Sequence, residues 1–273
     1  MFLGKPLAVT AFCLSSCIFL STHALAASPA ACDAQGAYVG AFGGFLWPYH
    51  TDATQTGTAF YPPISGGTLH VKASGNVDSS TSGLGGVHAG YAWPSHLSIS
   101  NWEMMSAAEL EGYYFSTVQK TELFDPASRV PEHTFEDKLP TNSGVFLVNG
   151  VFDFNNGLTT LHPYVGAGVG AAIMSVSGAD SEQVSPPELR VNHFNGSKSD
   201  SSWVFAAQAK AGVRWYLNQQ WRLLAEYRYL YLSSSDYTFG PTQYPSHVAT
   251  SKWNLRINDL GYSEGVVGVE YAL

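Results

Sequence analysis

The chain has 273 residues, 45% of them hydrophobic, 14% aromatic and only 12% charged, with 27 glycines and a formal net charge of −8. That content is too apolar for a disordered chain and allows one large domain or two small ones. The acidic balance argues against steering toward nucleic acid or heparin-like polyanions, so no nucleic-acid partner is expected.

The first segment carries Lys5, an apolar stretch from Leu7 to Leu20, and Ala24-Leu25-Ala26, small at the two positions a signal peptidase reads. It predicts a secretory signal over residues 1–26, cleaved before Ala27 after export across the inner membrane. Leu14-Ser15-Ser16-Cys17 looks like a lipobox, but the apolar run continues beyond it as Ile18-Phe19-Leu20. Cleavage leaves Cys32 as a lone thiol in a short periplasmic segment, residues 27–36, so no intrachain disulfide is expected. No later stretch is apolar over 18 consecutive residues, and no helical membrane span is expected after cleavage.

From Ala37 onward, segments of alternating character predict eight strands: Ala37 to Trp47, Gly83 to Trp93, Asn101 to Ser116, Gly144 to Phe154, Leu161 to Met174, Ser202 to Leu217, Trp221 to Tyr231 and Ile257 to Leu273. The connections alternate strictly between long, polar loops and tight turns. In a meander this sets four long loops at one end and three turns, with both termini, at the other.

Charges in four of the strands keep to one parity each: Glu103, Glu109 and Glu111; Lys210 and Arg214; Arg222, Glu226 and Arg228; Glu264 and Glu270. Opposite these charges lie Trp102, Met104, Leu110 and Tyr114; Ala207, Val213 and Trp215; Leu223, Tyr227 and Tyr229; and Val267, Val269 and Tyr271. A soluble lipocalin-like barrel would turn the charges outward, whereas a membrane barrel turns them into its lumen, because a cation on the lipid face costs roughly 2–4 kcal/mol at the midplane. Aromatic residues near strand ends, among them Trp47, Trp93, Trp203, Trp215 and Trp221, fit girdles at two water–lipid interfaces. Small residues at Gly166, Gly168 and Gly170 leave room for long side chains across a narrow interior. With Asp153 added, the lumen charges are expected to pair and plug the barrel, since an unpaired charge there is costly.

AYVGAFGGF (Ala37 to Phe45), AAELEGYYF (Ala107 to Phe115), HPYVGAGVGAA (His162 to Ala172), LLAEYRYLYL (Leu223 to Leu232) and GVVGVEYAL (Gly265 to Leu273) resemble small eight-stranded outer-membrane barrels of the opacity and OmpA-transmembrane type. The resemblance spans residues 37–273 and implies an all-β, antiparallel, up-and-down transmembrane barrel in a bacterial outer membrane. It implies as partners outer-membrane lipids and lipopolysaccharide, the barrel-assembly machinery, periplasmic chaperones and a host-surface ligand for the loops. Val267, Val269 and Tyr271 resemble the family's C-terminal assembly signal, with Leu273 where phenylalanine is usual.

The functional expectation is a non-enzymatic barrel that displays surface loops for adhesion, host contact or envelope integrity. The alternatives are an enzyme that hydrolyses or transfers lipid A acyl chains, and a narrow gated ion channel. His96-Leu97-Ser98 is the nearest approach to a His and Ser pair, but it lies in a turn at the periplasmic end. His-x-His and Cys-x-x-Cys spacings are missing, so no metal or cofactor is expected.

Overall fold

The computed structural model describes residues 35–93, 97–99, 102–126 and 133–273. In chain order the strands are β1 (Gly36–Pro48), β2 (Thr51–Phe60), β3 (Thr68–Ser79), β4 (Ser82–Ala92), β5 (Leu97–Ile99), β6 (Trp102–Asp125), β7 (His133–Asn155), β8 (Leu161–Ser177), β9 (Asp180–Ser185), β10 (Ser199–Tyr216), β11 (Trp221–Leu232), β12 (Ser235–Phe239), β13 (Trp253–Ile257) and β14 (Leu260–Ala272). Eight of them close an antiparallel barrel in the order β1, β4, β6, β7, β8, β10, β11, β14. The ring closes where β14 pairs with β1, Phe42 lying opposite Gly268. Closure leaves no unpaired edge, which a membrane-spanning sheet requires.

Period-two alternation sets the two faces. Along β11 exposed and buried residues alternate without a break from Trp221 to Leu230. Leu110, Phe146, Val148, Val169, Tyr227 and Val267 point outward. On β10, Trp203 and Trp215 bracket twelve steps of strand, and both are exposed. At about 3.3 Å per residue and a tilt near 40° this is a height of roughly 30 Å, which matches a hydrocarbon core.

Two glycines make room inside. A Cβ at Gly168 would collide with the Asn149 side chain, and one at Gly40 would collide with His88. Both neighbours belong to the buried polar interior, so a larger residue at either position would displace it.

The four long connections differ from expectation. Much of their length is strand: β2, β3, β9, β12 and β13 join the upper parts of β6 and β7 in an ordered continuation of the sheet. β6 and β7 reach Asp125 and His133, about nine and eleven residues farther than the sequence pattern indicates. Ile257 belongs to β13 rather than to the closing strand. This upper layer encloses an apolar core that includes Leu123, Phe135, Phe194, Phe239, Trp253 and Leu255. The interior is therefore polar at membrane height and apolar above it.

Candidate functional site

Inside the barrel, Lys210 contacts Glu109 at 2.5 Å and Glu111 at 3.3 Å. Arg214 reaches Glu109 at 2.7 Å, Asp153 at 2.8 Å and Glu270 at 3.2 Å. Arg222 also meets Glu270 at 3.2 Å, while Arg228 joins Glu111 at 2.7 Å and pairs with Glu226. Tyr38 and Tyr164 donate their hydroxyls to Glu109 and Glu226, both at 2.7 Å, and Tyr113 donates to Glu264 at 3.3 Å. His88 lies 3.1 Å from Glu270, and His162 lies 3.4 Å from Asp153. All eight barrel strands deliver these groups to one axis, and each side chain in the network is almost fully buried.

Glu103 stands apart from the expected lumen network. It shares the parity of Glu109 but stands exposed at the start of β6, beyond the end of the packed interior. At the closing strand, Val267 and Val269 face outward, and Tyr271 packs against Trp221 with ring centroids 4.9 Å apart. The Leu273 amide donates to the Ala37 carbonyl at 2.9 Å. His96 lies outside the described residues, and Ser98 sits in β5, opposite Glu103 at the tight-turn end.

A second polar group lies on the outer surface, at the long-loop rim. It forms where β11 ends and where residues 258–259 join β13 to β14. Tyr231 faces outward by the same alternation that buries Arg228. Asp259 accepts the Tyr231 hydroxyl at 2.7 Å on Oδ2. On Oδ1 it accepts the Ser234 hydroxyl at 2.8 Å and the Ser234 amide at 2.9 Å. These donors, the Tyr231 phenol first and then Ser234, hold the Asp259 carboxyl below the usual carboxylate range. It is thus ionised at neutral pH although it stands beside lipid.

Below this group, Ser263 Oγ lies between the Tyr49 and Tyr227 hydroxyls at 2.8 and 2.7 Å. Tyr49 also packs against Tyr229 with ring centroids 5.9 Å apart. Ser233 receives the Phe205 amide at 3.0 Å, next to outward-facing Trp203. The rim therefore sets a serine, a carboxylate and a phenol directly above an aromatic belt, where a lipid headgroup meets its acyl chains.

No serine hydroxyl is hydrogen bonded to a histidine ring among the described residues. His50 pairs with Asp78, His70 meets Thr58, and His193 and His247 both face Glu188 within the upper layer. Sequence reasoning missed Ser234, Asp259 and Tyr231 as a group, because Asp259 comes from a different strand connection. The outward parity of Tyr231 was the available signal.

A family model described as lipid A 3-O-deacylase (PagL) matches residues 83–239, more than half of the chain. No curated protein matches it. Among solved structures, the chain is similar to the outer membrane protein OprG from Pseudomonas aeruginosa, at 14% identity and a TM-score of 0.47, covering 88% of this chain and 97% of that one. Neisserial surface protein A is similar at 16% identity and a TM-score of 0.36, covering 88% and 98% of the two chains. The outer membrane protease OmpT from Escherichia coli is similar at 8% identity and a TM-score of 0.38, covering 86% and 97%. The family match overturns the expectation of a non-enzymatic display barrel, because the matched family is one of deacylases. The enzymatic alternative takes its place.

Proposed function

Because this chain belongs to the lipid A 3-O-deacylase (PagL) family, we propose that it hydrolyses an acyl ester of lipid A in the outer leaflet, with Ser234, Asp259 and Tyr231 as the reacting group. The observation that carries the assignment of residues is Ser234 itself. Its hydroxyl donates to an ionised carboxylate at the water–lipid edge, where such an ester lies. Ser234 and Tyr231 fall within the matched segment, and Asp259 is brought to them by the β13–β14 connection.

The acyl chains of the substrate lie along the belt of Trp203, Phe205 and Tyr229, and the sugar lies above it. Ser234 Oγ attacks the ester carbonyl while its proton passes to Asp259. The tetrahedral intermediate collapses, breaking the bond from carbonyl carbon to sugar oxygen, and the sugar leaves as an alcohol with that proton. Water then cleaves the acyl–serine ester and restores the serine. Tyr231 orients Asp259 and is a positioning residue.

Fatty-acid release from lipid A in mixed detergent micelles tests the assignment. Ser234→Ala should lower the rate at least about a hundredfold, and Asp259→Asn by about the same factor. Full activity of Ser234→Ala in a barrel that folds normally would place the nucleophile elsewhere.

A further inference from the structure

The upper layer contains a side-chain cluster that the deacylation chemistry does not use. Glu188 and His193 lie on the connection between β9 and β10, and His247 lies on the connection between β12 and β13. One ligand-type atom from each lies within 4.8 Å of the other two.

The tautomers are fixed by their neighbours. His193 Nδ1 lies 3.1 Å from the Ser181 carbonyl, and His247 Nδ1 lies 2.6 Å from the Val248 carbonyl. A carbonyl oxygen only accepts, so both Nδ1 atoms carry the proton. In a neutral ring this leaves the Nε2 lone pair free. Both Nε2 atoms point at one carboxylate oxygen, Glu188 Oε2, at 3.4 Å and 3.2 Å. Three lone-pair atoms therefore converge.

Two doubly protonated rings would relieve the repulsion through charge-assisted hydrogen bonds, but those run to about 2.7–2.9 Å. Here both contacts are longer, and buried Glu188 Oε2 has no hydrogen-bond partner. Zinc bonds of about 2.0–2.1 Å in a tetrahedron put neighbouring ligand atoms roughly 3.3 Å apart, close to the two nitrogen–oxygen spacings found. Histidine ligands also characteristically donate their other ring nitrogen to a carbonyl, as both do here. His193 is held edge-on against Phe135 at 5.3 Å and Trp253 at 5.7 Å, so the cluster has a rigid apolar wall. A cavity of about 30 Å³, room for one ion or water, is lined by all three residues and by His133. The buried Nδ1 of His133 has no hydrogen-bond partner.

We propose that Glu188, His193 and His247 bind a zinc ion that clips the β9–β10 and β12–β13 connections together, with His133 or a water as fourth ligand. The site stiffens the surface above the barrel and is independent of the reacting group at the rim.

Zinc titration of the full chain, refolded in detergent and stripped with chelator, tests this. The expected result is one tightly held zinc per chain, and cobalt in its place should show the intense visible absorption of a tetrahedral site. His247→Ala and the isosteric Glu188→Gln should each weaken zinc binding at least about tenfold while the unheated protein keeps the fast gel mobility of a folded barrel. Failure of the wild-type chain to retain zinc would overturn the proposal. So would unchanged affinity in folded Glu188→Gln, a variant that remains informative should the alanine variant fail to fold.

Discussion

At the residue scale, the proposed hydrolysis depends on one carboxylate serving as a base without a histidine. Asp259 is held ionised by Tyr231 and Ser234, so its folded-state pKa lies below the usual range. Activity that requires the ionised form is then fully present across neutral pH and declines only as the solution becomes strongly acidic. The rate profile should be level from about pH 5 to 8, with no inflection near the ~6.5 of histidine. Tyr231→Phe removes the leading cause of the depression, so the acidic limb should move to higher pH, which a rate–pH profile would read directly. An inflection near 6.5 in the wild-type chain would instead point to a histidine base. The sequence made the parity of these residues legible and left their meeting hidden. Nothing in the alternation of Trp221 to Tyr231 indicates that Asp259, on another connection, turns back to the end of that strand.

At the element scale, the barrel strands were legible because lipid imposes a strict two-sided pattern, and the upper strands were not because water does not. TDATQTGTAF over Thr51–Phe60 reads as a polar loop, yet Ala53, Gln55 and Ala59 are buried on one face while Thr and Asp face solvent. Small and polar residues satisfy a sheet that stands in water, and no hydrophobic stripe marks it. Within the barrel, Arg214 touches three carboxylates from β6, β7 and β14, so Arg214→Ala should leave buried acids without their cation. A loss of about 3–5 kcal/mol is expected, seen as a lower temperature for conversion of the folded to the unfolded gel band. In the upper layer, burial raises the Asp137 carboxyl to about 6. The folded state therefore binds its proton more tightly than the unfolded state does, and stability falls as pH rises through the interval from about 4 to 6. The difference amounts to ~3 kcal/mol. Protection factors for amide exchange in β7 and β9, which remove the intrinsic pH dependence of exchange, should be higher at pH 4.5 than at pH 7, and Asp137→Asn should flatten the contrast.

At the scale of the whole molecule, two layers of different chemistry follow one another along the barrel axis, with a separate polar group on the outer surface. An ion-pair network fills the interior at membrane height, an apolar core fills the sheet above it, and the proposed reacting group lies outside, at the junction of the two. The filled interior separates catalysis from transport. In the proposed reaction, substrate would reach Ser234 by lateral diffusion in the leaflet rather than through the barrel. Eight strands, their inside-out polarity and the alternation of long and short connections were legible from the sequence. The enzymatic assignment was not, since the serine and acid that could act on a lipid lie far apart in the chain and no histidine marks them.

The most direct test is mass spectrometry of lipid A from outer membranes of cells that express the wild-type chain or Ser234→Ala at equal folded levels. The expected result is loss of the mass of one ester-linked acyl chain with the wild type and intact lipid A with the variant. Intact lipid A in both, with the wild-type barrel folded in the outer membrane, would contradict it.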